Sequence, residues 1–359
     1  MFRIYEKYLI KKFLKFFINI TFLFFALVIV LSVFEELSFF KNSKSNFLLP
    51  YILTLLNAPM TLFEIIPFIF LLSTQLFFYD IFKKEELSLL KFNGLSNLKI
   101  IKLLFFLSLF IGVLTISVYY NLASKLNYYY TDIKNFHSKD NKYLAAVTDS
   151  GLWLKDEMDE SIFITKAKII KDHYLIDVII NEFDLNFLLK NTIQSSKINI
   201  IDKKWIIYNP IQTSENISEK KDNEINFKTN FDIDKISSLF SNVSTLNIIE
   251  LFNLKKDYEG LGYSSDEIRI QIFRLFSEPL FYGLMCVFSS IIMFKLKKNN
   301  SIFFLFIIGI LISVMIYYFN FVFSSLGNSG KLPAEISIFL PMLIMSIIVT
   351  IGLLTVNEN

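Results

Sequence analysis

Leu103–Ser124 is an unbroken apolar run, and about 140 residues of polar, strand-like sequence follow before the next long apolar run begins near Ile268. No other feature constrains the fold as much. A hydrocarbon core of ~30 Å is crossed by about 20 apolar residues in a helix. Within it each backbone N–H and C=O has to be satisfied inside the segment. The chain therefore reads as spanning helices placed before and after a sizeable water-exposed domain. An apolar fraction of 53% and a mean hydropathy of +0.49 agree with that reading.

Six segments qualify as spans. Phe16–Phe34 carries no charge and predicts a first helix over about 13–38. Pro59–Tyr79, broken only by Glu64 and containing Pro67, is the second. Leu48–Ala58 before it either extends that helix or lies at the interface. Leu103–Ser124 is the third. Ile268–Phe294 is the fourth, with Arg269, Arg274 and Glu278 in its first half; Ser301–Ser324 and Leu332–Val356 are the fifth and sixth. The N-terminus has the basic-then-apolar order of a signal peptide. Its apolar run is too long and no small-residue cleavage site follows, so an uncleaved span is expected.

Lysine and arginine bias in short loops orients a multi-pass chain. The N-terminal flank (Arg3, Lys7, Lys11, Lys12, Lys15), the second connection (Lys83, Lys84, Lys91, Lys99, Lys102) and the fourth (Lys295, Lys297, Lys298) carry thirteen. The opposite short loops carry three: Lys41, Lys44 and Lys331. Both termini are therefore expected in the cytoplasm and the large insertion outside the inner membrane.

Composition excludes several chemistries. A net charge of +3 makes no electrostatic case for a nucleic-acid partner. Cys286 is the single cysteine, so neither an intrachain disulfide nor a cysteine-based metal site can form. With His137 and His173 the only histidines, a zinc or serine-hydrolase site is hard to build, and neither a metal site nor catalytic residues are expected.

Between the third and fourth runs the sequence favours strands. Tyr143–Thr148, Gly151–Lys155, Ser161–Ile170, Tyr174–Phe183, Thr192–Ile201 and Trp205–Thr213 are rich in Ile, Val, Phe and Thr, with turn residues between them. Alternation puts Ile162, Ile164, Lys166 and Lys168 on one face and Phe163, Thr165 and Ala167 on the other. Short, evenly spaced strands predict an antiparallel sandwich or jelly roll. Ser214–Asn226 reads as a loop. Ser244–Glu259 reads as a helix with Leu246, Ile249, Phe252 and Leu254 on its apolar face.

Few segments carry chemistry. Gly327-Asn328-Ser329-Gly330-Lys331 has part of the look of a phosphate loop, but it lacks the GxxxxGK[ST] spacing and Leu332 follows the lysine. Work, if done, has to be driven by a partner. The second connection, Lys83 to Ser96, is the sharpest local signal. Acidic residues open it, Lys91 near its end complements a helix dipole, and Gly94 suits a left-handed cap. Leu87, Leu90 and Lys91 repeat at helical spacing. Two readings stand side by side: a solvated loop helix, or a coupling helix at about 84–94 that docks into a cytoplasmic ATPase.

Charges near spans are costly and therefore informative. Arg274 and Glu278, four apart, either pair with each other or leave Arg269 and Arg274 to meet lipid phosphates. Lys41 and Lys44 are either interfacial anchors or further phosphate contacts. The aromatic face of the fifth span, including Phe304, Tyr317 and Phe321, either packs against neighbours or lines an acyl-chain cavity or gate.

The whole arrangement resembles the LptF/LptG permeases of the lipopolysaccharide-export ABC transporter. Lys84-Glu85-Glu86-Leu87 through Gly94-Leu95-Ser96 is similar to that family's "SEL…GxS" coupling segment. Gly151-Leu152-Trp153-Leu154-Lys155-Asp156 is similar to the "GLW…D" strand of its LptG branch, which this chain looks most like. Ile272–Met285 with Pro279 resembles the start of the family's fourth span, and Pro67 and Pro341 fall where members carry prolines. The resemblance covers essentially the whole chain. Two departures stand out: Val28–Phe34 has no basic residue in the outer half of span one, and Glu85 replaces the serine of "SEL".

The fold implied is a membrane α-helical bundle of six transmembrane helices with an inserted all-β periplasmic jelly-roll-like domain. Spans one to three occupy 1–124, the β domain and a helical linker 125–265, and spans four to six 266–359. The resemblance implies a permease subunit of the inner membrane, without its own ATPase site, that extracts lipopolysaccharide from the outer leaflet. The partners implied are the paralogous permease, LptF or LptG, a dimeric ATPase LptB holding ATP and Mg, and the LptC and LptA jelly rolls that take the lipid onward. This chain itself is expected to bind no cofactor. Glu85, Glu86, Leu87, Leu90 and Gly94 are the coupling residues implied. Lys41, Lys44, Arg269 and Arg274 are the phosphate candidates, and Phe304, Tyr317 and Phe321 those for the gate. The competing readings are a lipoprotein-release or MacB-like permease, whose external domain generally follows the first span, a membrane-embedded envelope enzyme, and a non-transporting scaffold.

Overall fold

The computed structural model describes residues 3–41, 47–137, 152–158, 161–171, 173–214, 217–220, 224–233, 236, 242–260, 264–296 and 302–357. Contacts divide the chain into two compact units. Residues 1–133, 243–252 and 265–359 make a helical unit, and 134–242 with 253–264 a sheet unit.

The helical unit contains six helices long and apolar enough to cross a membrane. α1 (Ile4–Phe40) starts well before the expected position because the basic flank continues the helix. The Arg3 backbone N–H donates to the Glu6 carboxylate at 2.7 Å and closes its first turn. α2 (Leu49–Lys83) absorbs the interfacial candidate into one long helix; Pro50 sits in its first turn, where no N–H is missed. After the short α3 (Glu86–Phe92) comes α4 (Asn97–Leu114), capped by the Ser96 hydroxyl, which accepts from the Lys99 N–H at 3.3 Å. A π turn over Thr115–Tyr120 joins α4 to α5 (Asn121–His137). The remaining helices are α6 (Ile248–Gly260), α7 (Asp266–Leu296), α8 (Ile302–Asn328) and α9 (Ala334–Asn357).

α7 is the centre of this unit and packs on α2, α4, α8 and α9, whereas α1 rests almost wholly on α2. Phe70 of α2 stacks on Tyr282 of α7 at 5.0 Å, and Phe78 meets Phe294 edge-on at 5.1 Å. Such ring pairs add about 0.5–1.5 kcal/mol beyond the area they bury. α6 corrects one expectation: Leu251 and Leu254 are its buried side chains, while Ile249 and Phe252 are exposed. The helix begins at Ile248 rather than Ser244; Leu246, ahead of it, and Leu254 are buried as expected, and Leu251 takes the buried place instead of Ile249 and Phe252.

The sheet unit holds β1 (Leu152–Met158), β2 (Ser161–Lys171), β3 (Tyr174–Phe183), β4 (Leu189–Asn199), β5 (Lys204–Tyr208), β6 (Ile211–Ser214), β7 (Ile217–Lys220) and β8 (Ile225–Lys228). All pairs are antiparallel. The path is β1-β2-β3-β4-β5-β8, with β6 on β4 and β7 on β6, an open sheet consistent with a jelly-roll-like domain. The expected strand Trp205–Thr213 breaks at Asn209, whose φ is 46°, and Pro210, which has no N–H to donate. Its halves, β5 and β6, pair with successive stretches of β4. Ser214–Asn226 is not a loop: β7 lies within it and β8 begins there, each supplying a partner for one half of the broken strand. The expected strand Tyr143–Thr148, along with Gly151, lies outside the described residues.

The sheet curls. Phe163 of β2 and Phe227 of β8 are not on neighbouring strands, yet their rings lie 5.2 Å apart. Asp156, on edge strand β1, accepts from the Thr229 hydroxyl at 2.6 Å and from the Asn230 backbone and amide nitrogens at 2.9 and 2.8 Å, just past β8. Trp205 is fully buried and donates its indole N–H to the Phe231 carbonyl at 2.9 Å. Thr165 and Ala167 are buried and Phe163 half-buried on one side of β2, and Lys166 lies outside, over the Trp153 ring; Ile162, near the start of the strand, is buried although the alternation puts it on the Lys166 side.

Candidate functional site

A cavity of about 410 Å³ lies among α2, α7, α8 and α9. It is lined by the middle of α2, the first half of α7, the second half of α8 and the start of α9, and the α2 residues that line it lie well before α3. Its lining includes the aromatic rings of Phe63 and Phe68 of α2, Phe281 of α7, and Tyr317 and Phe321 of α8. The Phe68 and Tyr317 rings are 6.1 Å apart. Polar residues line it too: Gln271, Arg274, Asn320 and Ser324, with Glu64 and Glu278.

Arg274 is the centre of this arrangement. Its Nη2 is 3.5 Å from the Ser324 hydroxyl, and its charge acts on both Glu64 and Glu278. Among the described residues no ion pair within 4.0 Å includes Arg274, so the Arg274–Glu278 pairing raised by their spacing is not made. The guanidinium reaches across to α8 instead. An arginine at the centre of a spanning helix costs ~2.5–3.5 kcal/mol; Arg274 lies in the first third of α7, and the Ser324 hydroxyl is the group that bonds it. The other phosphate candidates sit elsewhere. Arg269 pairs with Glu335 of α9 and lies 3.7 Å from Asp266. Lys41 is exposed at the end of α1, and Lys44 lies outside the described residues.

The opposite end of the bundle carries α3. Glu85, just before it, has a left-handed backbone with φ 58°. The Glu86 carboxylate is bonded to the Lys12 ammonium of α1 and accepts from the Tyr8 hydroxyl at 2.9 Å. Leu87 and Leu90 are half-buried. Gly94 closes the helix at φ 77°: its N–H donates to the Lys91 carbonyl at 2.9 Å and that of Leu95 to the Leu90 carbonyl at 3.1 Å. That pair of bonds is the Schellman pattern, and buried Leu95 supplies its apolar contact. A cleft of about 430 Å³ lies beside α3, bounded by Leu87 and Lys91, by Met293 and Phe294 of α7, and by Val356 of α9. Leu89 and Phe92 point outward, 63% and 90% exposed.

Residues 7–355, nearly the entire chain, match the family described as lipopolysaccharide export system permease LptF/LptG. The chain belongs to the LptF/LptG family. No curated protein matches it.

An LptF/LptG permease is a multi-pass membrane protein and a transport subunit of the lipopolysaccharide-export ABC transporter, not a catalytic enzyme. Membership sets aside the lipoprotein-release, membrane-enzyme and scaffold readings, and the family description embraces both LptF and LptG. Within this LptF/LptG chain, Arg274, Tyr317 and Phe321 come together in one cavity. Phe304 does not join them: it lies thirteen residues before Tyr317, ~20 Å along α8. The Gly327–Lys331 segment is the end of α8, where Gly330 adopts φ 69° and donates its N–H to the Gly327 carbonyl at 2.9 Å. It is a helix cap and not a phosphate loop. Sequence reasoning missed Leu89 and Phe92, which fall three apart on the face of α3 opposite Leu87 and Leu90; exposure of that face, and not its apolarity, marks them.

Proposed function

We propose that this chain is an LptG-type permease that pairs with its paralogue LptF above a dimeric ATPase LptB. ATP and Mg are held by that ATPase, and this chain binds no cofactor of its own. Both termini are cytoplasmic and the sheet unit is periplasmic, as the thirteen-to-three excess of basic residues in the short loops favours. Lipopolysaccharide enters from the outer leaflet through gates formed by spans one and five. ATP-driven closure lifts it to the sheet unit, which passes it to the LptC and LptA jelly rolls.

The observation that carries the ATPase partnership is the outward face of α3. A seven-residue helix that exposes Leu89 and Phe92 leaves about 1.5–3 kcal/mol of burial per side chain unused. A partner groove at the cytoplasmic surface would recover it. Arg274 supports the lipid end of the reading, because a guanidinium in a partly aromatic cavity suits a phosphorylated, acylated lipid. In the same picture Glu85, Glu86, Leu87, Leu90 and Gly94 shape and hold the docking helix. Lys41, Lys44 and Arg269 are phosphate contacts on the path, and Phe304 belongs to the gate.

Co-purification tests the assignment. Replacing both Leu89 and Phe92 with Asp is expected to strip the ATPase from the purified permease pair while the chain still inserts, and Glu86→Lys to weaken the association. ATPase retained at wild-type stoichiometry by both variants would remove α3 as the docking element.

A further inference from the structure

Three elements meet at one side chain at the α3 end of the bundle. Lys12 of α1 is nearly buried, its side chain 9% exposed. Its ammonium is 2.8 Å from Asp80 in the last turn of α2 and is bonded to Glu86 in the first turn of α3. Tyr8, one turn earlier on α1, donates to the same Glu86 oxygen at 2.9 Å, and the Lys12 ammonium sits 5.5 Å over its ring. Lys84 flanks Asp80 at 2.9 Å. No side chain of α3 is fully buried. A helix so lightly packed is tied to the bundle chiefly through bonds, and the Glu86 bonds lead to α1, not to the neighbouring α2.

α1 is suited to be moved. Its apolar stretch is the least buried of the six spans and rests almost wholly on α2, so it meets the α7 core through α2 side chains such as Phe70. Near its other end Glu36 accepts from the Tyr130 hydroxyl of α5 at 2.8 Å. Polar ties at both ends with a free apolar face between them describe a lever, and a displacement of α3 is delivered to it at Lys12.

We infer that Lys12 is a positioning residue that carries movement of α3 into span one, so that ATP-driven displacement of the docking helix shifts the helix along which the lipid enters. This rests on α3 being the ATPase-docking element. Lys12 touches neither nucleotide nor lipid; it acts through Glu86 and Asp80. A structural brace alone would, on loss, lower the amount of complex or all its activities together. A transmission element would, on loss, separate hydrolysis from transport.

The test uses the full permease–ATPase complex in proteoliposomes and reads two rates, ATP hydrolysis and lipopolysaccharide release. Lys12→Met is expected to keep at least half of the hydrolysis while lipid moved per ATP falls tenfold or more. Lys12→Arg, which restores the charge, is expected to stay within twofold of wild type in that ratio. Tyr8→Phe, which removes one donor to Glu86 and keeps the ring, is expected to lower the ratio two- to fivefold, and it decides the matter if Lys12→Met does not accumulate in membranes. An unchanged ratio in the Met and Phe variants, or hydrolysis and transport falling in parallel, overturns the inference. The Leu89 and Phe92 variant separates the two claims: ATPase binding that survives it defeats the docking reading itself, whereas its loss alongside a normal ratio in Lys12→Met defeats only the lever.

Discussion

Asp156 and Arg274 show how one charged side chain takes on opposite duties in the two units. Asp156 is buried and spends its carboxylate on three donors from Thr229 and Asn230. Removing it takes the carboxylate acceptor away from those three bonds, at a cost of about 3 kcal/mol. Asp156→Ala is therefore expected to lower the unfolding temperature of the sheet unit. Both tryptophans, Trp153 and Trp205, lie in that unit, so tryptophan fluorescence excited beyond the tyrosine absorption band reports on it. Arg274 makes no ion pair among the described residues, and only the Ser324 hydroxyl, at the long distance of 3.5 Å, bonds its guanidinium. Arg274→Gln is expected to weaken lipopolysaccharide stimulation of ATP hydrolysis by about tenfold, the loss of one charge-assisted contact of ~1.4 kcal/mol. Arg269→Gln is expected to change it less than twofold, because Glu335 already holds that guanidinium.

At the scale of elements, α3 depends on its ends. Gly94 at φ 77° closes it, and a Cβ there meets nothing within 4 Å, so Gly94→Ala is a pure backbone penalty of about 1 kcal/mol. It is expected to reduce ATPase co-purification moderately while the Leu89 and Phe92 double replacement abolishes it. α3 also shows what sequence periodicity can and cannot deliver. The acidic start, the glycine end and the helical spacing are legible in Glu85–Gly94, since caps and periods are local. Which side faces out is not, since Glu86 is turned inward by Lys12 and Tyr8, which lie more than seventy residues earlier. The same limit applies in the sheet. The bounds of β2 and β3 read correctly because strand-forming runs ended by turn residues are local signals, whereas β7 and β8 are polar segments that become strands only because β6 and β5 present unpaired edges to them. The Arg274–Glu278 pairing, argued from spacing alone, gave way to a contact from α8 fifty residues away.

At the scale of the molecule, the long apolar runs and the polar interval between them describe the architecture, because a bilayer-length helix is written in composition. What composition cannot place is the cavity, assembled from four helices drawn from both ends of the chain. In the proposed transport, ATP drives lipid from that cavity to the curled sheet. The direct test replaces Phe163, on the inward face of β2, with a photo-crosslinking benzoylphenylalanine in the assembled transporter. Irradiation with lipopolysaccharide is expected to give a lipid adduct when ATP and a functional ATPase are present and little without them. No adduct under any condition, or the same yield without ATP, would contradict the account.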